Sequence, residues 1–474
     1  MAEHTYDIVV LGGGIGGYSA AIRASQLGKK VAIVEKDKLG GTCLHRGCIP
    51  SKALLRSAEV YASLKNSEAY GICATEVSLQ LTQVMERKER IIEQLYQGVQ
   101  FLMKQNKIDM FYGQGRIIGP SIFSPKCGTI SVEYADGEID LLKNEQVVIA
   151  TGSRPRTIPG LEIDGAYIYS SEELLNLDQL PKTLLIIGGG VIGVEWASMM
   201  SDFGVEVTLV EAEPLLVRLE DQEIAQELER ILKKRNVRII TSATVNPTSL
   251  QIENQQVVLD VLQNEEILTL RVDKVLVSVG RIANIEGIGI ENTDIQIDNG
   301  SIRVNEYLQT SESHLYAIGD VIGGVQLAHA AAYEGRLAVE HMCKLDATAY
   351  QAHCIPRCMY SRPEVASVGW TEQQAKQNGK EIHISKFPYK AIGKAWVYGD
   401  TDGFVKVISD ANTKDILGVH MIGPHVTESI AEAALAMQLN ATSWEISHTV
   451  HPHPTLSEIL QEAMLGIDHL ANRT

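Results

Sequence analysis

The 474-residue sequence predicts an α/β fold in which one βαβ unit occurs twice. Each copy starts with an apolar strand, passes through a G-x-G-x-x-G turn into a helix-compatible stretch, and ends with a second apolar strand and a glutamate. A third observation is the stretch Gly40 to Lys52, which carries two cysteines five positions apart directly after the first copy. These features predict two Rossmann-like dinucleotide-binding domains and a redox-active thiol pair.

The two copies match glycine for glycine and glutamate for glutamate. The first glycine makes the tight turn, the second lets the backbone approach a pyrophosphate, and the third lets helix and strand pack closely. The terminal carboxylate accepts hydrogen bonds from ribose hydroxyls and repels a 2′-phosphate, so the second copy favours NAD over NADP. A single such turn often has no ligand, but two in register indicate two nucleotide sites. The matched residues are Gly12, Gly14, Gly17 and Glu35 in the first copy and Gly188, Gly190, Gly193 and Glu211 in the second.

Three later apolar runs are predicted strands that end at candidate ligand positions. Residues 147–152 and 275–280 each end in glycine, and the carboxyl ends of strands are where open α/β sheets hold ligands. The third run ends in Asp320, which could hold a ribityl or ribose hydroxyl. On its own, a strand-end aspartate is as often without any function.

The cysteine pair predicts a disulfide in a bent segment. In a regular helix, residues five apart have Cα atoms ~8 to 9 Å from each other, whereas a disulfide requires roughly 4.4 to 6.8 Å. Cys43 and Cys48 can therefore pair only if the chain bends between them, and Gly47 provides freedom for that bend. A strained disulfide is easily reduced, as a catalytic electron carrier requires. The alternative is two free, buried thiols.

The composition limits the classes of function. The net charge of −17 argues against a nucleic-acid partner, and no apolar run approaches the ~20 residues that cross a bilayer. Seven cysteines indicate a reducing compartment, and the predicted strand beginning at Tyr6 leaves no room for a signal peptide, so we expect a cytoplasmic protein. Cys354 and Cys358 are four residues apart, but no histidine or further cysteine near them has the spacing typical of a zinc site. No metal site is predicted.

Together these motifs resemble the FAD-dependent pyridine nucleotide–disulfide oxidoreductases of class I, most closely the members that oxidise dihydrolipoamide. The resemblance extends from about Tyr6 to Glu462 and includes Thr310 to Asp320 and His451 to Glu458. It implies non-covalent FAD, one per subunit, and NAD as cofactors. It also implies an FAD domain at 1–150, an NAD domain at 151–280, a central segment at 281–350 that completes the FAD site, and an α+β dimerisation domain at 351–474 that carries the catalytic base.

The resemblance also implies the roles of individual residues. His453, oriented by Glu458, is the expected base that deprotonates dihydrolipoamide, and Cys43 is the expected thiol that exchanges with it. Cys48 would pass electrons to FAD, and from there a hydride goes to NAD⁺. Lys52 is expected near the flavin, paired with Glu195. The further residues expected at FAD are Gly41, Thr42, Gly115, Thr151, Gly152, Ser153, Leu327, Ala328 and His329, and those expected at NAD are Val245 and Gly280.

Some interpretations stay open at this stage. Thr455 to Glu458 is also a capping box, which would leave His453 without a catalytic task. His448 and His451 match the family motif less well than His453, and His45 stands where these members mostly have asparagine. Glu211, Val191 and Ile22 are positions at which glutathione reductases usually differ.

The resemblance implies a homodimer in which the neighbouring subunit supplies the base. Lipoyl-carrying domains of 2-oxoacid dehydrogenase or glycine-cleavage complexes are the expected partners. Two alternatives remain: a reductase of another disulfide, such as glutathione disulfide, and a flavin-loaded structural subunit that does not turn over.

Overall fold

The computed structural model describes residues 2–120 and 128–471. The chain divides into two compact units. Unit 1 comprises residues 1–53, 85–156 and 281–352, and unit 2 comprises residues 54–84, 157–280 and 353–474. The predicted division into four consecutive segments has different boundaries from these two units, and it stays a prediction.

The strands of the described chain are mostly short and apolar. In chain order they are β1 (Glu3–Leu11), β2 (Val31–Glu35), β3 (Asp109–Tyr112), β4 (Gln114–Ile117), β5 (Ile130–Glu133), β6 (Ile139–Ile149), β7 (Ser153–Pro155), β8 (Ile168–Tyr169), β9 (Thr183–Ile187), β10 (Glu206–Val210), β11 (Arg238–Ile240), β12 (Ala243–Glu253), β13 (Gln256–Gln263), β14 (Glu266–Val272), β15 (Lys274–Val277), β16 (Arg281–Ala283), β17 (Ile297–Asp298), β18 (Ser301–Ile302), β19 (Leu315–Ala317), β20 (Arg357–Met359), β21 (Glu364–Gly369), β22 (Ile382–Pro388), β23 (Phe404–Asp410) and β24 (Ile416–Gly423).

The α-helices lie between these strands and close the C-terminal part of the chain. They are α1 (Ile15–Gln26), α2 (Gly41–His45), α3 (Cys48–Lys65), α4 (Leu81–Gln105), α5 (Val191–Asp202), α6 (Gln222–Lys234), α7 (Ala328–Met342), α8 (Glu372–Gln377), α9 (Gly393–Tyr398), α10 (Val426–Gln438), α11 (Ser443–Ser447) and α12 (Glu458–Ile467). In the described part of the chain, no helix has both the length and the apolar content needed to cross a membrane.

Unit 1 is built on a mixed seven-stranded sheet. Its strand order is β3-β2-β1-β6-β5-β4, and β19 pairs with β6 as well. The contacts among β3, β2, β1, β6 and β19 are parallel, and β5 runs antiparallel to both β6 and β4. Residues Ile8 to Leu11 are all buried, as expected for a strand covered on both faces. The first apolar strand of the sequence therefore becomes the middle of a nucleotide-binding sheet.

Unit 2 contains a parallel sheet and two antiparallel sheets. The parallel sheet has the order β11-β10-β9-β15-β8. The first antiparallel sheet, β12-β13-β14, is formed by the three strands that lie between β11 and β15 in the sequence. The C-terminal sheet has the order β20-β21-β24-β23-β22, and α10 and α12 pack on it to form an apolar core. The prediction of two Rossmann-like domains and an α+β C-terminal domain is confirmed.

A buried lysine joins α6, α8 and β23 within unit 2. Lys406 is 1% exposed, and its Nζ lies 3.0 Å from Asp221, 2.8 Å from Glu223 and 2.7 Å from Glu372. Burial lowers the pKa of Lys406, but the hydrogen bonds to the three carboxylates outweigh burial and raise it above its ordinary value. Asp221 also caps α6 by accepting the amide of Glu223 at 3.1 Å. This cluster therefore ties the end of two helices to the C-terminal sheet.

Candidate functional site

The first glycine of each nucleotide turn is required by backbone conformation. Gly12 has φ +108° and Gly188 has φ +107°, in the region that favours glycine. A Cβ at Gly12 would lie 2.2 Å from the Ala150 carbonyl oxygen, and one at Gly188 would lie 2.4 Å from that of Ser278. Each turn is thus pressed against the end of the neighbouring parallel strand.

The other two glycines of each turn have opposite surroundings. A Cβ at the third glycine would lie 1.9 Å from the carbonyl oxygen of the first, so only glycine lets the helix start this close. A Cβ at the second would meet no atom nearer than 4.0 Å. The second position caps the helix N-terminus and leaves open space beside it, as a pyrophosphate requires. The second and third glycines are Gly14 and Gly17 before and in α1, and Gly190 and Gly193 before and in α5.

The paired glutamates are oriented by the same two backbone amides in each copy. Glu35 Oε2 accepts the amide of Gly13 at 2.7 Å, and Oε1 accepts the amide of Asp37 at 2.9 Å. This geometry leaves each carboxylate at a strand end beside the glycine turn, with lone pairs free to accept ribose hydroxyls. In the second copy, Glu211 accepts the amides of Gly189 and Glu213.

A group of polar side chains in unit 1 surrounds Asp320. Ser153 Oγ donates to Asp320, and Arg281 Nε donates to Ser153 Oγ at 2.6 Å. Arg281 Nη2 also donates to the Ser153 carbonyl at 2.9 Å, and its Nε lies 3.7 Å from Asp320. The carboxylate is therefore held in place by two neighbours, and its role in binding a cofactor hydroxyl stays a prediction.

Sequence analysis missed Arg281 and a second residue of this strand-end group, Asn284. Asn284 Nδ2 donates to the Thr151 carbonyl at 3.0 Å, and Thr151 Oγ1 donates to the Asn284 carbonyl at 2.8 Å. The Asn284 amide also donates to the Gly152 carbonyl at 2.9 Å. The available signal was position: both residues lie within four positions of Gly280, just after the end of a predicted buried strand.

The two cysteines lie on either side of a helix break. α2 ends at His45 and α3 begins at Cys48, so the predicted bend is present. Gly47, however, does not have a positive φ; a Cβ there would lie 3.1 Å from the Thr42 carbonyl oxygen. The glycine is needed for space between the two helices and not for a left-handed backbone.

Cys43 and Cys48 are free thiols in this structure, and the pKa of Cys43 is perturbed. A hydrogen bond to Cys48 and then burial raise the pKa of the Cys43 thiol far above its ordinary value, while the charge of Lys52 opposes this shift. Cys43 and Cys48 therefore lie close enough to interact as a pair.

The redox stretch begins directly against the first nucleotide turn. The Gly40 amide donates to the Gly13 carbonyl at 2.8 Å, and Gly40 and Gly14 form a β-bridge. A Cβ at Gly41 would lie 2.8 Å from the Gly14 Cα atom. These contacts bring Gly41, and Thr42 after it, to the side of the open pyrophosphate position. His45, the departure from the family pattern, donates from Nε2 to the Leu39 carbonyl at 2.7 Å.

The C-terminal histidine and glutamate form a hydrogen-bonded dyad in unit 2. His453 Nδ1 lies 2.9 Å from Glu458 Oε1, and the Thr455 amide donates to Glu458 Oε2 at 3.0 Å. The Thr455 hydroxyl donates to the Pro452 carbonyl at 2.7 Å, so only half of the capping box forms. The dyad and the half capping box coexist because Glu458 uses a different oxygen for each. The peptide bond between His453 and Pro454 is cis.

The dyad leaves the outer nitrogen of His453 available. A carboxylate only accepts hydrogen bonds, so Nδ1 carries the proton and Nε2 of the neutral ring is free to take one. The His453 side chain is 65% exposed within the chain, whereas Glu458 is 11% exposed. An exposed imidazole backed by a buried carboxylate is suited to removing a proton from a substrate.

The remaining predicted positions have diverse surroundings. Glu195 is 5% exposed in α5 and accepts the Tyr360 amide at 2.9 Å, both in unit 2. Lys52 belongs to unit 1, and its pairing with Glu195 stays a prediction. Gly115 lies in β4, where a Cβ would be 2.3 Å from the Leu11 side chain, and Gly280 has φ +108°. Leu327, Ala328 and His329 form the start of α7, and Val245 lies in β12.

In the described part of the chain, no three histidine, cysteine, aspartate or glutamate side chains cluster as metal ligands. Cys354 and Cys358 are partly buried. Burial raises the pKa of the Cys354 thiol.

Comparison with known proteins relates most of the chain to one family. The model of the pyridine nucleotide-disulphide oxidoreductase family matches residues 6–335, and that of the family's dimerisation domain matches residues 355–464. Dihydrolipoyl dehydrogenase of Bacillus subtilis is 56% identical over 98% of both chains, and that of Zymomonas mobilis is 41% identical over 98% of both.

Solved structures give the same result for the fold. The crystal structure of LpdA from Mycobacterium tuberculosis aligns with a TM-score of 0.90 at 26% identity, covering 98% of this chain and 100% of that one. The HOCl-induced flavoprotein disulfide reductase RclA from Escherichia coli aligns with a TM-score of 0.82 at 28% identity, covering 97% and 99%.

Proposed function

Since the chain belongs to the pyridine nucleotide-disulphide oxidoreductase family, we propose that it oxidises dihydrolipoamide to lipoamide with NAD⁺ as the electron acceptor. One observation carries this conclusion: 56% identity over 98% of the chain to a dihydrolipoyl dehydrogenase. Glutathione disulfide as a substrate is not favoured, because the relatives named above that share 41% identity or more are all dihydrolipoyl dehydrogenases.

The residues of unit 1 fit an FAD. The open position at Gly14 lies at the N-terminus of α1, which suits a pyrophosphate, and Glu35 is oriented to accept ribose hydroxyls. Asp320, held by Ser153 and Arg281, would accept a further hydroxyl of the cofactor. When bound, FAD accepts two electrons from a dithiol and delivers them as a hydride to NAD⁺.

The thiol pair would carry the electrons from the substrate. A dihydrolipoamide thiolate attacks the Cys43 sulfur of the oxidised pair, forms a mixed disulfide and releases Cys48 as a thiolate. The second substrate thiol then attacks the mixed disulfide, so lipoamide closes and Cys43 leaves as a thiol. Lys52 supplies a nearby positive charge.

His453 would take the proton from the substrate thiol. Its Nε2 is the free nitrogen, and Glu458 stabilises the imidazolium that forms when that nitrogen is protonated. In this proposal the substrate thiol must approach the exposed face of the ring, which the 65% exposure of His453 permits.

The second nucleotide turn would bind NAD⁺. Gly190 leaves the same open space as Gly14, and Glu211 stands where the adenosine ribose hydroxyls would lie. A 2′-phosphate at this position would meet a carboxylate, so NADP would be rejected.

The chain carries the family's dimerisation domain, and we propose a homodimer in which each base serves the partner's thiol pair. Mixing inactive Cys48→Ser chains with inactive His453→Ala chains should then restore part of the activity through hybrid dimers. Full activity in a monomer on a sizing column would contradict this proposal. Lipoyl-carrying domains as partners and a cytoplasmic location belong to the same proposal.

Flavin spectroscopy of the purified protein tests the function directly. NADH should bleach the visible flavin absorbance, and lipoamide, but not glutathione disulfide, should restore it. Restoration by glutathione disulfide alone would favour the other reductase. A flavin that NADH does not reduce would indicate a structural subunit without turnover.

A further inference from the structure

A second histidine lies two residues before His453 and has the opposite environment. The side chain of His451 is 4% exposed, against 65% for His453. Both belong to the segment 448–457, which joins α11 to α12. A histidine this buried needs partners for both ring nitrogens, because an unpaired buried nitrogen costs roughly 1–3 kcal/mol.

Both ring nitrogens of His451 face acceptors. Nδ1 lies 2.9 Å from the Thr449 carbonyl oxygen, and Nε2 lies 3.0 Å from Glu432 Oε1. Neither a carbonyl nor a carboxylate can donate, so both nitrogens must carry a proton to make both bonds. His451 is therefore an imidazolium in this arrangement. Consistent with this geometry, its pKa is raised above the ordinary value, first by the hydrogen bond that it donates to Glu432.

Hydrogen bonds of His451 and Thr449 connect the segment 448–457 to two neighbouring helices. Glu432 belongs to α10, and Gln461 of α12 donates to the Thr449 carbonyl at 2.9 Å, the same oxygen that His451 bonds. The Thr455 hydroxyl donates to the Pro452 carbonyl at 2.7 Å. The backbone on both sides of His453 is thus fixed, and His451 supplies the contact that reaches α10.

We propose that His451, held by Glu432 and Thr449, is a positioning residue that fixes the exposed ring of His453. The inference rests on the proposed function, since it assumes that His453 is the base.

The test compares His451→Ala with His448→Ala. His448 is exposed in the same segment and stacks on Trp444, so it is a matched control. For His451→Ala we expect kcat/KM for dihydrolipoamide to fall about 10- to 100-fold, the range for misplacing a catalytic group by about 1 Å. Flavin content and the rate of flavin reduction by NADH should be unchanged, and His448→Ala should match the unchanged protein.

A conservative variant separates position from charge. In Glu432→Gln, the amide can donate to Nε2 of a neutral ring while Nδ1 still donates to Thr449, so both contacts persist. Turnover of Glu432→Gln should stay within about threefold of the unchanged protein, and Glu432→Ala should resemble His451→Ala. If His451→Ala does not retain flavin, His451→Gln replaces it in the same comparison.

The inference is overturned if the fall in kcat/KM is absent in His451→Ala, or if NADH-driven flavin reduction falls together with dihydrolipoamide oxidation. If His453→Ala itself oxidises dihydrolipoamide normally, the proposed base is wrong. A large loss in His453→Ala without any change in His451→Ala refutes only the positioning role.

Discussion

Replacing Glu458 with glutamine separates the two hydrogen bonds that its carboxylate makes. Glu458 accepts His453 Nδ1 at 2.9 Å and the Thr455 amide at 3.0 Å. A glutamine has one accepting and one donating end. If its oxygen keeps the Thr455 amide, its amino group faces Nδ1, which must then be the unprotonated nitrogen. The proton moves to Nε2, and the ring can no longer accept one from the substrate.

The expected loss follows from this tautomer change. Removing a correctly oriented general base costs about 10²- to 10⁴-fold, so Glu458→Gln should lower kcat/KM for dihydrolipoamide into that range. Glutamine is accepted in a capping box, so the stability of α12 should change by less than about 1 kcal/mol. NADH-driven reduction of the flavin should continue at its normal rate.

A double variant tests whether Glu458 acts through His453. The double variant Glu458→Gln with His453→Ala should lose no more activity than His453→Ala alone, because the two residues act as one unit. Steady-state oxidation of dihydrolipoamide and thermal unfolding are the measurements. If Glu458→Gln unfolds earlier but turns over within about threefold of the unchanged protein, Glu458 only caps the helix.

Three further predictions follow from the sites described above. Because of Glu211, kcat/KM should favour NADH over NADPH by at least about 10-fold, and equal values would contradict the assigned role of this carboxylate. Cys48→Ser should abolish the long-wavelength absorbance of a thiolate beside oxidised flavin in the two-electron-reduced enzyme, while Cys43→Ser should retain it; the reverse pattern would exchange their roles. Lys406→Met should lower the free energy of unfolding in urea by about 3–5 kcal/mol, because it removes the cation paired with the buried carboxylate of Asp221, whereas the more exposed Lys386→Met should cost about 0–1 kcal/mol; equal costs would refute a stabilising role for the Lys406 cluster.

The two nucleotide turns could be predicted from sequence because their requirements are local. Gly12 and Gly188 need a positive φ, and Gly17 and Gly193 leave no room for a Cβ. Steric exclusion of this kind restricts the residue type itself, so it is visible in the sequence. The chemistry of Cys43 and Cys48 could be predicted for a similar reason, since a disulfide limits the distance that the intervening chain can span.

Other contacts were decided only by tertiary structure. Arg281 reaches Ser153 and Asp320, and the Tyr360 amide reaches Glu195, across long stretches of chain. A charged or polar side chain has many possible partners, and the sequence does not specify which one it will meet when the sheets close.

His451 shows the same division within one short motif. The sequence places it beside His453 with no sign of a different environment, and the packing of α10 then gives it Glu432 as a partner. The sequence by itself determined the glycine turns, the thiol pair and the His453–Glu458 spacing, because each depends on residue type over a few positions. Tertiary structure decided which carboxylates and amides orient those groups, because burial and long-range pairing exist only in the folded chain.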